Sequence, residues 1–308
     1  MNARTAWTGI AAVLLFCAAA MAQPYQPQTT PPPDFSKTVI HIRDLGHRTY
    51  MLEGEGGNIV IAVGDDGVIM VDDEYAPLHD KIKAAIASIT PLPIRYLVLT
   101  HFHRDHTGGN EGFARDGATI VAHESVAQHL KAGTHSGVTG NVVPPAPDIA
   151  LPKQTYSDSM AVHVAGRNAQ LTHILNAHTD GDTAVWLPDA NVLAAGDIVT
   201  FGRYPNIDYL YGGSIDGEIA GVDAVLGMAK DDTKIVPGHG PLGTRAMIQD
   251  YRAMLVTLRA RVLDLVRKGM TEDEVVAAHP TADYDAKLHV NAQGAGNFVR
   301  VVYRSLTP

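Results

Sequence analysis

Cysteine is nearly absent from this sequence, since Cys17 is the only one among 308 residues. It lies in an apolar N-terminal segment, so removal of that segment would leave no thiol in the mature chain. A chain without cysteine forms no disulfide and offers no thiolate to a metal ion. Any metal site in the mature protein must therefore be built from imidazoles and carboxylates.

Blocks of basic residues are also absent, and the formal net charge is -9. An acidic protein repels phosphate backbones, so we do not expect nucleic acid as a partner. We expect a small-molecule substrate instead. The sequence carries no feature that fixes an oligomeric state.

Long apolar runs are absent except at the N-terminus, where one extends from about Ala6 to Ala20. It follows Arg4, is too short to span a bilayer comfortably, and ends in the small-x-small pattern at 20–22. These features predict a signal peptide over residues 1–22, cleaved after Ala22, and a periplasmic or secreted mature protein. We expect no stable membrane insertion after cleavage, because no other segment reaches membrane length.

The rest of the chain divides into two parts. Residues 23–37 are rich in Pro, Gln and Thr and predict a flexible or extended lead-in. Residues 38–308 predict one domain that ends in a helical segment. Before that segment the domain has two halves, and in each half short strands come first and helices last. This order predicts an α+β fold, a four-layer αβ/βα sandwich of two mixed β-sheets with outer helices. The predicted elements include helices at 78–88, 125–131, 215–228, 244–268 and 271–278, strands at 94–100 and 233–236, a hairpin over 184–195, and a long loop at 132–155.

The strongest chemical signal is His101-Phe102-His103-Arg104-Asp105-His106, which follows a predicted buried strand. Zinc is bound by imidazole and carboxylate groups, and these six residues supply three imidazoles and one carboxylate. On an extended stretch His101 and His103 point the same way, so they can grip one ion. If the chain then curls, Asp105 and His106 can face a second ion.

Three more candidate ligands follow in similar settings. His178, Asp197 and His239 each stand where a predicted strand ends and a loop begins, which is where rigid scaffolds often place active residues. The other histidines are interpreted as ordinary core or surface residues. They are His41, His47, His79, His123, His129, His135, His163, His173, His279 and His289.

Together these motifs resemble the metallo-β-lactamase superfamily over about residues 38–239. The resemblance implies a first zinc on His101, His103 and His178 and a second on Asp105, His106 and His239. It also implies that Asp197 bridges the two, as in glyoxalase II-like and lactonase-like members, and that Asp72 holds the metal loop by hydrogen bonds. Typical lactamases carry a cysteine where Asp197 stands or lack a protein bridge, so this chain departs from their pattern. Iron or manganese can also occupy such a site.

The resemblance further implies hydrolysis by a metal-bridging hydroxide, with Asp105 orienting it and passing a proton to the leaving group. The main expectation is a β-lactamase-like hydrolase of a cyclic amide or ester. A lactonase, a glyoxalase II-like thioester hydrolase, a di-iron oxidoreductase and a non-catalytic zinc-binding protein are the alternatives. The loop after Asp197 offers candidate substrate contacts: Arg203 for a carboxylate, Asn206, and the rings of Tyr204, Tyr209 and Tyr211.

Overall fold

The computed structural model describes residues 34–136 and 140–307. The predicted signal peptide with its cleavage site, and residues 23–33 of the lead-in, lie outside the described residues. The end of the lead-in, predicted to be flexible, forms a 3-10 turn at Phe35–Lys37. The Lys81 ammonium donates to three carbonyls of this stretch, at 2.7–2.9 Å, so these residues are tied to the helix that carries Lys81.

The first sheet contains seven strands among the described residues, in the spatial order β1-β2-β3-β4-β5-β6-β9. The first four strands pair antiparallel, and β4, β5, β6 and β9 then pair parallel. The strands are β1 (His41–Gly46), β2 (Thr49–Glu53), β3 (Ile59–Val63), β4 (Val68–Val71), β5 (Ile94–Val98), β6 (Thr119–His123) and β9 (Gln154–Tyr156). Between β6 and β9, where a long loop was predicted, a small hairpin forms from β7 (Thr134–His135) and β8 (Val142–Val143).

The second sheet has the order β10-β11-β12-β13-β14. Its first four strands are antiparallel and include the predicted hairpin, whereas β13 and β14 are parallel. The strands are β10 (Ser159–Val164), β11 (Arg167–Ile174), β12 (Asp182–Leu187), β13 (Val192–Thr200) and β14 (Lys234–His239). Both sheets are thus mixed, as predicted.

Side-chain alternation explains why the sheets stack. On β3, Val60 and Ala62 enter the core between the two sheets, whereas Ile59, Ile61 and Val63 enter the core under the helices. A strand buried on both faces reads as a continuous apolar run. A third core lies between the second sheet and the later helices. The result is the predicted four-layer α+β sandwich.

The helices cover the two outer faces. They are α1 (His79–Ile89), α2 (Arg104–Thr107), α3 (Asn110–Arg115), α4 (Glu124–Ala132), α5 (Ile215–Met228), α6 (Arg245–Arg267), α7 (Glu272–Ala277), α8 (Ala282–Asp285) and α9 (Ala292–Leu306). Ser214 caps α5 by accepting from Gly217 N, and Thr271 forms a capping box with Glu274. The sequence interpretation did not include α9, which packs against α6 and α7 through residues such as Phe298 and Val302. None of the helices in the described ranges is both long and apolar enough to cross a membrane.

Candidate metal centre

The His-x-His-x-Asp-His segment changes conformation at its midpoint. His103 has extended backbone angles and directly precedes the helical turn α2, which carries Asp105 and His106. The chain bends at residues 100–102, where the sequence predicted an extended stretch through both histidines, whereas the predicted curl at Asp105 and His106 is present. The curl brings the Asp105 and His106 side chains to the edge where β5 ends.

The three later candidates reach the same edge from the second sheet. His178 follows β11, and His239 is the last residue of β14. Asp197 lies inside β13 rather than after a strand, at a register irregularity where Gly196 has a φ of +52°. The close packing here requires a second glycine, since a Cβ on Gly238 would lie 1.9 Å from Asp197 Oδ1.

The side chains converge in three overlapping groups. Within each group the ligand atoms lie within 4.8 Å of one another. The groups are His101, His103 and His178; His101, His106 and Asp197; and Asp105, His106 and His239. His178 Nε2 lies 2.8 Å from His103 Nδ1, and His239 Nε2 lies 3.1 Å from Asp105 Oδ2. All seven residues that the sequence singled out thus meet in one place.

Asp197 stands between the two ends of this cluster. Its Oδ1 lies 3.3 Å from His106 Nε2 and 3.5 Å from His239 Nε2. Its Oδ2 lies 3.8 Å from His178 Nε2. One carboxylate therefore presents a different oxygen to each side.

The outer nitrogens of four histidines are hydrogen-bonded, which fixes their orientation. His106 Nδ1 lies 2.8 Å from Asp72 Oδ2, and His103 Nε2 lies 2.9 Å from Asp208 Oδ2. His178 Nδ1 donates to the Asn206 carbonyl oxygen. Because carboxylates and carbonyls only accept, each of these outer nitrogens carries a proton, which leaves the lone pair of a neutral ring on its inner nitrogen.

The same reasoning applies to His101. The Thr100 hydroxyl donates to Asp72 Oδ2 at 2.7 Å, so it accepts from His101 Nδ1 at 3.1 Å. Thr100 N also donates to Asp72 Oδ1 at 2.7 Å. These are the contacts expected of an aspartate that holds a metal loop by hydrogen bonds.

The inner atoms fit a metal ion. His101 Nε2 and Asp197 Oδ1 are buried and have no hydrogen-bond partner among the described residues. Buried polar atoms normally have partners, so these two unpartnered atoms are available to bind an ion. Imidazole and carboxylate donors suit zinc, iron or manganese.

Burial and the neighbouring charges shift the pKa values of the clustered histidines in different directions. Burial, with the neighbouring His106, lowers the pKa of His101 well below its ordinary value, and burial with His103 lowers the pKa of His178 to about 4. Both rings are therefore neutral near pH 7, the form that binds metal. Burial opposes protonation of His106 as well, but the carboxylates of Asp197, Asp72 and Asp105 outweigh it and raise its pKa well above the ordinary value.

The predicted substrate residues separate into two sets. The Arg203 and Asn206 side chains are exposed in the loop after β13. The Tyr204 ring is instead 7% exposed and stacks on Phe298 of α9, and its hydroxyl donates to Asp285 at 2.6 Å. With its ring and hydroxyl already engaged by the C-terminal helices, Tyr204 is not placed to stack on a substrate.

The two remaining tyrosines of this loop also have protein partners. Tyr209 accepts from Arg304 of α9 at 2.7 Å, and the guanidinium lies 5.4 Å from the ring centre. The Tyr211 ring packs 5.1 Å from Phe102 and 4.8 Å from His129, and its hydroxyl accepts from His135 N. The loop is therefore packed against the body of the protein at several points.

Sequence reasoning missed the groups that orient the metal-facing histidines. Asp208, the Asn206 carbonyl and the Thr100 hydroxyl each bind an outer ring nitrogen. Thr100 directly precedes the motif, a position that offered a signal. Asp208 lies 105 residues from His103 in a loop without a recognisable motif, and no sequence pattern indicated it.

Comparison with known proteins identifies the family of this chain. The family model described as the metallo-beta-lactamase superfamily matches residues 42–239. The 2,4-dinitroanisole O-demethylase subunit alpha of Nocardioides sp. (strain JS1661) is 29% identical over 68% of this chain and 60% of that protein. The linear primary-alkylsulfatase of Pseudomonas sp. (strain ATCC 19151) is 24% identical over 68% of this chain and 47% of that protein.

This chain therefore spans about half to three-fifths of the length of these two curated relatives. Among solved structures, a metallo-beta-lactamase from Pontibacter korlensis has the same fold, with a TM-score of 0.58 at 17% identity over 70% of this chain and 98% of that one. The family model covers most of the chain and contains every predicted ligand. The chain thus belongs to the metallo-β-lactamase superfamily, whose members are metallo-hydrolases.

Proposed function

We propose that this protein is a secreted or periplasmic dinuclear zinc hydrolase that cleaves a cyclic amide or ester. The observation that carries the proposal is the position of Asp197, which presents one oxygen to His106 and His239 and the other to His178. A carboxylate in that position is suited to bridge two ions.

The residues divide the work as follows. His101, His103 and His178 would hold the first ion, Asp105, His106 and His239 the second, and Asp197 both. When bound, two zinc ions supply a water of lowered pKa and polarise a carbonyl. Asp105 has a quarter of its side chain exposed, whereas His106 beside it is fully buried. Asp105 is therefore the ligand placed to orient a water molecule and to pass a proton to a leaving group.

A lactonase or glyoxalase II-like thioester hydrolase, with at most side activity on β-lactams, is the second candidate. Asp197 favours it, because typical lactamases carry cysteine at this position or lack a protein bridge. The names of two relatives indicate further substrate classes for similar chains, a methyl aryl ether and an alkyl sulfate. Iron or manganese is the alternative to zinc at such donors.

Metal content is the first test. The mature chain is expressed without residues 1–22 and purified. Its metal is removed with a chelator, zinc is added back, and the zinc content is measured by elemental analysis. We expect two equivalents of zinc per chain, and at most one in Asp197→Ala. Retention of two ions by the variant would contradict the bridging role.

Substrate class is tested with a hydrolysis panel. It contains a chromogenic cephalosporin, acyl-homoserine lactones, a glutathione thioester, an alkyl sulfate and a nitroaryl methyl ether, with His101→Ala as the control. Cephalosporin turnover above all others would support the β-lactamase-like function. Faster lactone or thioester cleavage would favour the second candidate, and two bound ions without activity on any member would favour a non-catalytic zinc protein.

Export is tested separately. We propose that the N-terminal segment is removed after Ala22, and N-terminal sequencing of protein recovered from the periplasm of an expressing bacterium should begin at Gln23. An intact N-terminus in the cytoplasmic fraction would contradict export.

A further inference from the structure

The turn between β2 and β3, residues 54–57, packs directly on two of the proposed metal ligands. Gly57 N donates to the Asp105 carbonyl oxygen at 2.9 Å. A Cβ on Gly57 would lie 2.1 Å from the His106 ring, so the backbone itself presses against that imidazole. A Cβ on Gly56 would lie 2.8 Å from the same Asp105 oxygen. The position of this turn and the position of these two ligands are therefore linked.

Glu74 holds the turn from beneath. Its side chain is 0% exposed, and Oε2 accepts from Gly56 N at 2.8 Å and from Glu55 N at 3.1 Å. Its own carbonyl accepts from Gly108 N, just after α2, at 2.8 Å. Glu74 thus connects the turn to the C-terminal end of α2, the helix that carries Asp105 and His106.

The local structure at Glu74 is costly, which argues that it serves a purpose. Glu74 has a φ of +60°, a conformation that disfavours residues other than glycine. Its Oε1 is buried and has no hydrogen-bond partner in the part of the chain that the structure describes. Burying a carboxylate oxygen without a partner costs free energy. Within residues 34–136 and 140–307, the hydrogen bonds to the Glu74 side chain come from the two amide donors of the turn.

We propose that Glu74 is a positioning residue for one half of the metal centre. It holds the 54–57 turn against Asp105 and His106, and so sets the affinity of the group formed with His239 for its ion. The inference rests on the proposed two-metal function. The contacts of the turn are to Asp105 and His106, so the histidine-only group of His101, His103 and His178 is not affected.

The test compares Glu74→Leu, Glu74→Asp and Glu74→Gln with Glu218→Gln, a substitution at another buried glutamate, which lies on α5. Stripped full-length mature chains are titrated with zinc against a competing chelator. We call zinc binding at His101, His103 and His178 the first step and binding at Asp105, His106 and His239 the second. We expect Glu74→Leu to weaken the second step roughly 10- to 100-fold and to leave the first unchanged, since loss of groups that orient ligands has this size of effect. Glu74→Asp keeps the charge but is too short to reach the amides, so it should behave like Glu74→Leu even if the leucine variant folds poorly.

Glu74→Gln is the rescue variant, because its amide oxygen can accept the same two hydrogen bonds; it should bind both ions as the wild type does, as should Glu218→Gln. Equal weakening of both steps in Glu74→Leu and Glu74→Asp would indicate a general structural role and overturn the proposal. An unchanged second step would overturn it too.

Hydrogen exchange of the metal-free proteins separates this inference from the function on which it rests. The amides of Glu55 and Gly56 should exchange faster in Glu74→Asp than in the wild type or in Glu218→Gln. A wild-type protein that binds a single ion would refute the two-metal function, whereas equal exchange in all variants would refute the positioning role of Glu74.

Discussion

Glu218 offers a test of how buried charge is managed close to the metal centre. It is fully buried on α5, and its Oε1 accepts from the Tyr251 hydroxyl at 3.0 Å. Its Oε2 has no hydrogen-bond partner among the residues described. Burial, reinforced by the nearby Asp182, raises the pKa of Glu218 well above its ordinary value of 4.5. The folded protein therefore holds a neutral carboxylic acid at this position.

The sign of the pH effect follows from this shift. Above pH 4.5 the unfolded chain has released the Glu218 proton while the folded protein still holds it. The free energy of unfolding therefore falls as pH rises, by up to about 1.4 kcal/mol per pH unit, until the pH passes the folded-state pKa. Glu218→Gln does not titrate and keeps an acceptor for Tyr251. Between pH 5 and pH 7 its free energy of unfolding should therefore rise relative to that of the wild type.

Urea denaturation measures the difference in free energy of unfolding between the wild type and Glu218→Gln. Zinc is kept at the same excess for both, so the stabilisation that bound zinc gives to both proteins cancels. Glu272→Gln is the control of opposite sign, because hydrogen bonds from Arg304 lower the pKa of Glu272. The contribution of Glu272 is present above pH 4.5 and is lost as pH falls, so its variant should be the less stable one at pH 7 and approach the wild type in acid. A Glu218→Gln difference that stays constant from pH 5 to pH 7 would refute the reasoning.

Three further predictions concern the site and its surroundings. Asp208→Ala removes the acceptor of the outer nitrogen of His103, so zinc affinity in a chelator competition should fall roughly 10- to 100-fold; an unchanged affinity would refute the orienting role. Gly238→Ala places a methyl group against the bridging carboxylate and should reduce zinc content. Gly227→Ala, in open space on α5, should keep the zinc content and raise the free energy of unfolding by about 0.5–1 kcal/mol. Equal zinc content in the two variants would contradict the packing argument. Tyr204→Phe should lower stability by about 1 kcal/mol and leave KM unchanged; a raised KM would return this residue to the substrate site.

Much of the framework is visible in the sequence because it depends on local periodicity and on neighbouring residues. The strand before His101 appears as an apolar run, and the curl that brings Asp105 and His106 to the site follows from the spacing of the motif. Helix starts at Ser214 and Thr271 are visible because a cap is a contact across three residues. Helix α9 was missed.

Contacts between distant segments were not visible. The tyrosines of the loop after β13 looked available to a substrate, yet Tyr204 and Tyr209 are held by α8 and α9, about 80 to 95 residues further along the chain. Asp197 looked like a residue beyond a strand end, but a bulge at Gly196 lets the strand continue through it. Such partners depend on how the layers stack, which residue order alone does not specify.

The sequence by itself determined which donors are available to a metal, because a cysteine-free mature chain leaves imidazoles and carboxylates, and it determined that four of them lie within six residues. Only the tertiary structure decided which nitrogen of each imidazole faces the centre, since that depends on Asp72, Asp208 and the Asn206 carbonyl. It also decided that Glu74 supports the turn over Asp105. A hydrogen bond acts over about 3 Å, and only the folded chain brings these distant groups within that range.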